Sequence, residues 1–268
     1  MSRIDDTFAE LQAKEQTGLV AYVTAGDPNL TQSALILETL DQAEVDIIEV
    51  GIPFSDPLAD GPVIQRASER ALLAGTTLKS SLEMIETARK RIECPLVLFT
   101  YVNPVMAMGA EDFMMRSADA GVDGLLVLDL PIEEAEELRE VAITANIDPI
   151  FLLSPTTTHE RIERTAELGR GFLYAISRLG VTGERDTMAE GVSGMIDRIR
   201  QVTSLPIALG FGISKPEHVR EVGKLADAAV VGSGLVNRIA EVAAGEDLAG
   251  EIHRYVSWLK SGLDGPQV

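Results

Sequence analysis

Cysteine, histidine, basic charge and long apolar runs are scarce in this sequence, and each scarcity removes a class of function. One cysteine, Cys94, in 268 residues excludes an internal disulfide and a cysteine-cluster zinc site. The three histidines, His159, His218 and His253, lie far apart in helix-like stretches, so no metal-ligand spacing appears and no metal is expected. No run of about 18 apolar residues is present, and no charged, apolar, small-residue leader precedes the first strand. The expectation is therefore a cytoplasmic chain without a membrane partner. Basic residues number 23 against 42 acidic ones, for a formal charge of −19, and no basic stripe exists to neutralise phosphates. Nucleic acid is not an expected partner. Only 6 of the 23 basic residues are lysine. Such a surface suits a salty cytoplasm, in which case stability rises with added salt; ordinary acidic solubility accounts for it equally well.

Hydrophobic residues make up 46% of the chain, enough for a sizeable core. Residues 4–15 read as an amphipathic helix with Ile4, Phe8 and Leu11 on one stripe, placed to cap the bottom of a barrel. Eight short apolar runs follow, at 19–25, 46–51, 96–102, 124–129, 149–154, 172–177, 206–210 and 228–232. Between them apolar residues recur three or four apart, as in Leu82, Ile85, Ala88 and Ile92, the mark of a surface helix with one buried face. Residues 62–74 and 111–120 also read as helices, and 236–260 ends the pattern helically. Eight strands alternating with helices over about 250 residues predict an α/β fold, a single (β/α)8 TIM barrel spanning 1–268, with 261–268 a frayed tail. The rival is an open doubly wound sheet. It would usually carry a GxGxxG turn after its first strand, and the GDP found there is not one.

The most informative stretch is 46–62, DIIEVGIPFSDPLADGP. Ile47, Ile48 and Val50 are apolar on both parities, as in a parallel strand buried on both faces. If Ile48 and Val50 point outward to helices, Ile47, Glu49 and Gly51 point inward, and an acid faces the interior at the strand's C-terminal end. Burial raises the pKa of such an acid and fits it for proton transfer near neutrality, although a buried acid also serves as a hydrogen-bonded core residue. Asp60 follows on a proline-braced loop, where a solvated acid or a helix cap is the plainer alternative. The strand ends carry no lysine, so any carbon–carbon cleavage here runs on acid and base rather than through a Schiff base. Glycine pairs close the last two strands, GFG at 210–212 and GSG at 232–234, with Ser214 and Ser233 beside them. Backbone N–H groups at that end of a barrel suit a phosphate. Tyr22, Phe99, Tyr101 and Phe211 near strand ends suit either the core or the walls of a pocket for a flat ring.

The stretches EVGIPFSDPLADGPVIQ at 49–65, TAGDP at 24–28, SRLGVTG at 177–183 and GFGIS at 210–214 together resemble the tryptophan synthase alpha subunit family along essentially the whole chain. The resemblance implies a lyase that splits indole-3-glycerol phosphate into indole and glyceraldehyde 3-phosphate. It also implies an α2β2 assembly in which pyridoxal phosphate belongs to the beta partner and no cofactor to this chain. On this resemblance Glu49 is the catalytic acid and base, Asp60 accepts the indole N–H, and Tyr174 joins them. Gly183, Gly212, Gly232 and Ser233 hold the phosphate, and Leu126 joins the four aromatic residues around the indole. Residues 178–191 form a lid through Thr182, and Pro53, Asp56 and Pro57 face the partner. Tyr22 departs from the family's more frequent Phe. Two other readings stay open: another phosphate-binding barrel, such as indole-3-glycerol phosphate synthase, which would want a catalytic lysine, and a non-catalytic subunit that binds the indole phosphate only to regulate its partner.

Overall fold

A computed structural model describes residues 2–177, 191–210, 212–245 and 247–263. Its centre is a closed barrel of eight parallel strands in sequence order: β1 (Gly18–Thr24), β2 (Ile47–Gly51), β3 (Leu96–Thr100), β4 (Gly124–Val127), β5 (Asp148–Leu153), β6 (Leu173–Ile176), β7 (Ile207–Gly210) and β8 (Ala228–Val231). Each strand falls inside or within a residue of its apolar run. Closure through β1 and β8, which pair Gly18 with Ala228 and Leu19 with Ala229, removes the open sheet as an alternative.

Strand parity divides the core in two. Ile48, Val50, Leu96, Leu98, Leu209 and Val231 face outward into the layer between barrel and helices. Val20, Ile47, Val97, Leu126, Ile150 and Phe172 face inward and fill the barrel. The helix Arg3–Ala13 completes that inner cluster: Ser2 caps it in a reciprocal box with Asp5, and its stripe of Ile4, Phe8 and Leu11 plugs the lower end of the barrel. Phe8 meets Phe172 with ring centres 5.7 Å apart. Asp123, ahead of β4, ties the plug down. It takes the Arg3 and Arg89 guanidiniums at 2.7 and 2.9 Å and the Leu96 N–H at 2.9 Å. The lower end is thus built for stability, leaving the opposite, C-terminal face of the strands for chemistry.

Three boundaries differ from the expectation. The third strand stops at Thr100 rather than 102, because the Asp129 carboxylate accepts the Val102 N–H at 2.7 Å and starts a helix, Val102–Met108, that the sequence pattern did not indicate. Asn103 is an exposed residue of that helix. The helical stretch expected over 236–260 is two helices, Ser233–Val242 and Leu248–Lys260, the second capped by Asp247 through the Gly250 N–H at 3.1 Å. Of the C-terminal residues expected to fray, Leu263 packs on the outer core, and 264–268 lie outside the described residues.

Candidate active site

Glu49 occupies the inward position next to the end of β2, in register with Tyr22 on β1 and Val97 on β3. It is completely buried, and neither carboxyl oxygen has a hydrogen-bond partner. A carboxylate there has lost its water and gained nothing in return, so burial alone pushes its pKa up to about 8. A folded chain tolerates such a group only as a neutral acid near pH 7, able to give its proton away.

Asp60 stands on the loop after β2, half-buried, and accepts the Tyr101 hydroxyl at 3.0 Å. The same hydroxyl accepts the Ala59 N–H at 3.2 Å, and the Tyr101 ring leans on Phe54 with centres 5.2 Å apart. Tyr101 thereby fixes the loop at two points. Burial raises Asp60 to about 6, and the Tyr101 bond partly offsets the rise. Two acids with different set points thus share one mouth: near neutrality one is mostly neutral and the other mostly ionised.

Aromatic side chains build the walls. Tyr22 and Phe99 meet edge to face at 5.3 Å and 80°. Tyr174 points in from β6 and lies against Gly210, where an added Cβ would come within 3.3 Å of the tyrosine ring and hydroxyl. Burial raises its hydroxyl well above the usual phenol range, and the nearby Glu49, Tyr22 and Asp60 add to the rise. Leu126 is buried inside the barrel in register with Phe99.

At the far side, Gly232 precedes the helix Ser233–Val242, and Gly212 has φ +69°, a left-handed conformation that suits glycine. Gly232 and Ser233 are half-buried, and the first turn of the helix, whose N–H groups have no intrahelical carbonyl to meet, lies beside them, a fitting seat for an anion held by amides rather than by lysine. Phe211, Thr182, Gly183 and the stretch 178–190 lie outside the described residues. On the rim, Asp56 is exposed and takes the Ser55 hydroxyl at 2.7 Å, Pro57 is half-buried, and Pro53 is buried beneath them. Among the described residues no cluster of three or more His, Cys, Asp or Glu side chains converges as metal ligands, and no helix is long and apolar enough to cross a membrane.

Two features of the site were not read from the sequence. Asp27, in the TAGDP stretch, is buried and clasped by Arg70 through bonds of 2.8 and 2.7 Å. That fork fixes the helix Pro62–Leu73, which begins directly after the Asp60 loop. Gly51 is the second: it makes room for the Tyr22 hydroxyl.

A family model described as tryptophan synthase alpha chain matches residues 8–260. The tryptophan synthase alpha chain of Geotalea daltonii is 44% identical over 98% of this chain and 99% of its own. That of Arabidopsis thaliana is also 44% identical, over 97% of this chain and 95% of its own. Among solved structures, tryptophan synthase subunit alpha from Legionella pneumophila superposes with a TM-score of 0.91 at 35% identity, covering 98% of this chain and 99% of that one. A chain of Mycobacterium tuberculosis tryptophan synthase gives 0.91 at 33% identity, covering 99% of each.

Proposed function

The chain belongs to the tryptophan synthase alpha chain family, whose lyase reaction in tryptophan biosynthesis cleaves indole-3-glycerol phosphate, and we propose that Glu49 and Asp60 carry that reaction here. The observation that supports this most is the pairing of a fully buried, unpartnered Glu49 with a half-buried, ionisable Asp60 at one barrel mouth.

The retro-aldol step needs one proton delivered and one removed. Neutral Glu49 protonates indole C3, which turns the ring into an indoleninium cation. Ionised Asp60 accepts the indole N–H and stabilises the positive charge that appears on that nitrogen only as the transition state is approached. The Glu49 carboxylate then takes the proton from the glycerol hydroxyl next to the scissile bond. As the C3–C bond breaks, its electrons return to the ring, leaving indole and the aldehyde of glyceraldehyde 3-phosphate. Protons balance, and Glu49 ends as it began. Tyr174, inside the barrel across from β2, orders the reacting centre, while Gly212, Gly232 and Ser233, with Gly183, hold the phosphate. Tyr22, Phe99, Tyr101 and Phe211 surround the ring above Leu126.

Family membership implies a beta partner, and we place its docking site on the rim beside Asp56 and Pro57, where Leu58 is 91% exposed. Pro53 braces that rim from below. The assembly is then α2β2, with pyridoxal phosphate in the beta chain. The direct test follows indole release from indole-3-glycerol phosphate by the purified chain, alone and with a beta partner. Release in both cases, faster with the partner, is expected. Binding of the substrate without release under either condition would instead support a purely regulatory subunit.

A further inference from the structure

Gly51 closes β2 beside the Tyr22 hydroxyl. Its backbone needs no left-handed conformation, so glycine is not there for the turn. What it lacks is a side chain, and that space is taken. A Cβ built at position 51 would stand 2.1 Å from the Tyr22 hydroxyl and 2.6 Å from the ring carbon bearing it. A glycine inside a strand that another side chain overlies marks a close approach rather than a loop signal.

Register shows what lies beneath. On the inner face of β2, Glu49 and Gly51 are successive inward residues. Tyr22 on β1 pairs with Glu49, and Phe99 on β3 pairs with Gly51. The Tyr22 ring fills the position without a side chain, and the Phe99 ring meets it edge to face at 5.3 Å. Both stand on the strands that flank Glu49, which is fully buried. Tyr22 is itself pinned from behind by Ile64 and Ala67 of the helix Pro62–Leu73 and by Val236 of the helix Ser233–Val242.

We infer that the Tyr22 and Phe99 rings, meeting across Gly51, form an apolar cover that keeps water from Glu49, and that Tyr22 is a positioning residue setting how firmly Glu49 holds its proton. The inference rests on the acid–base reading of Glu49 and supplies the structural cause of its behaviour. Burial, and no charged neighbour, accounts for the raised Glu49. Tyr22 from β1 and Tyr174 from β6 are neutral phenols, raised well above their usual range. From β3 come Val97 and Phe99, without charge. Asp60, on the loop after β2, bears on both tyrosines, yet burial is what raises Glu49. The Tyr22 hydroxyl meets Thr24 Oγ1 at a long 3.5 Å, so the ring rather than the hydroxyl performs the shielding.

The ring and the hydroxyl are separable by experiment. A carboxyl-carbon NMR titration of the full chain, with the Glu49 resonance assigned by its loss in Glu49→Gln, reads the midpoint without relying on turnover. Tyr22→Phe keeps the cover and is expected to leave the midpoint in place. Tyr22→Ala removes it and is expected to lower the midpoint by at least about one pH unit, tenfold in the acid constant. Phe99→Ala opens the same cover from β3 and is expected to act in the same direction, which keeps the test alive if Tyr22→Ala does not fold. An unmoved midpoint in a folded Ala variant, or a fall in Tyr22→Phe equal to that in Tyr22→Ala, overturns the inference. Loss of the acid–base reading looks different: Glu49→Gln would then release indole at the wild-type rate, whatever the titrations show.

Discussion

Glu49→Gln is expected to lower indole release by at least about 10²-fold, a loss of roughly 3 kcal/mol of transition-state stabilisation, in a chain that folds normally. Glutamine matches the protonated acid in shape and polarity, so the buried site sees little change. What disappears is the proton, needed at C3 at the start and collected from the glycerol hydroxyl at the end. Asp60→Asn is expected to cost a similar factor for a different reason. The amide still fits beside Tyr101 but carries no charge to set against the cation on the indole nitrogen. Because both residues serve one transition state, the double variant should lose less than the product of the single losses. Steady-state release assays on the three variants, with circular dichroism to confirm folding, decide the point. Wild-type turnover in either single variant contradicts the assigned role.

The same Glu49→Gln change is expected to stabilise the fold, and by an amount that grows with pH. An unfolded chain ionises this carboxyl around 4.5, whereas the folded chain keeps it protonated to about 8. Between those values the unfolded state gains from ionisation and the folded state does not, so wild-type stability falls as pH rises through that window. Below it the penalty is absent, and above about 8 it is complete. Near pH 7 the penalty is about 3 kcal/mol, and near pH 5 under about 1 kcal/mol. Glutamine cannot ionise and escapes it. Urea unfolding of the two proteins should give nearly equal midpoints at the lower pH and a clearly higher midpoint for the variant at neutrality. Equal stability at both pH values would mean that Glu49 is solvated in the folded chain. An acid kept without a partner at such a cost is the pattern of a site that trades stability for chemistry.

Much of this was legible in the sequence, for identifiable reasons. Parallel strands buried on both faces leave short apolar runs between helical periods, and all eight appear where those runs stand. The inward aim of Glu49 followed from parity alone, once Ile48 and Val50 were assigned to the outer layer, and they pack there. The helix Val102–Met108 was hidden because TYVN continues the β pattern of LVLF and Pro104 reads as a breaker; the group that starts it, Asp129, lies 27 positions on. The split near 243–247 was hidden because apolar spacing resumes after it. Asp27 with Arg70 and Gly51 with Tyr22 are relations between residues 43 and 29 apart in sequence, and no local pattern signals either one. Tyr22 could be noticed as an unusual residue, but its action on the neighbouring strand required the register. Phe211, Thr182 and Gly183 fall outside the described residues, so their assigned places stand as proposals.

On this mechanism one acid begins the reaction protonated and the other ionised, and the pH dependence of kcat/KM for indole release reads both, since that profile reports the free enzyme's groups. A bell is predicted, rising through about 6 as Asp60 ionises and falling through about 8 as Glu49 loses its proton. Removing Glu49 should abolish the alkaline limb from whatever activity is left. A profile that is flat across this range, or one whose alkaline limb survives in Glu49→Gln, would contradict the account.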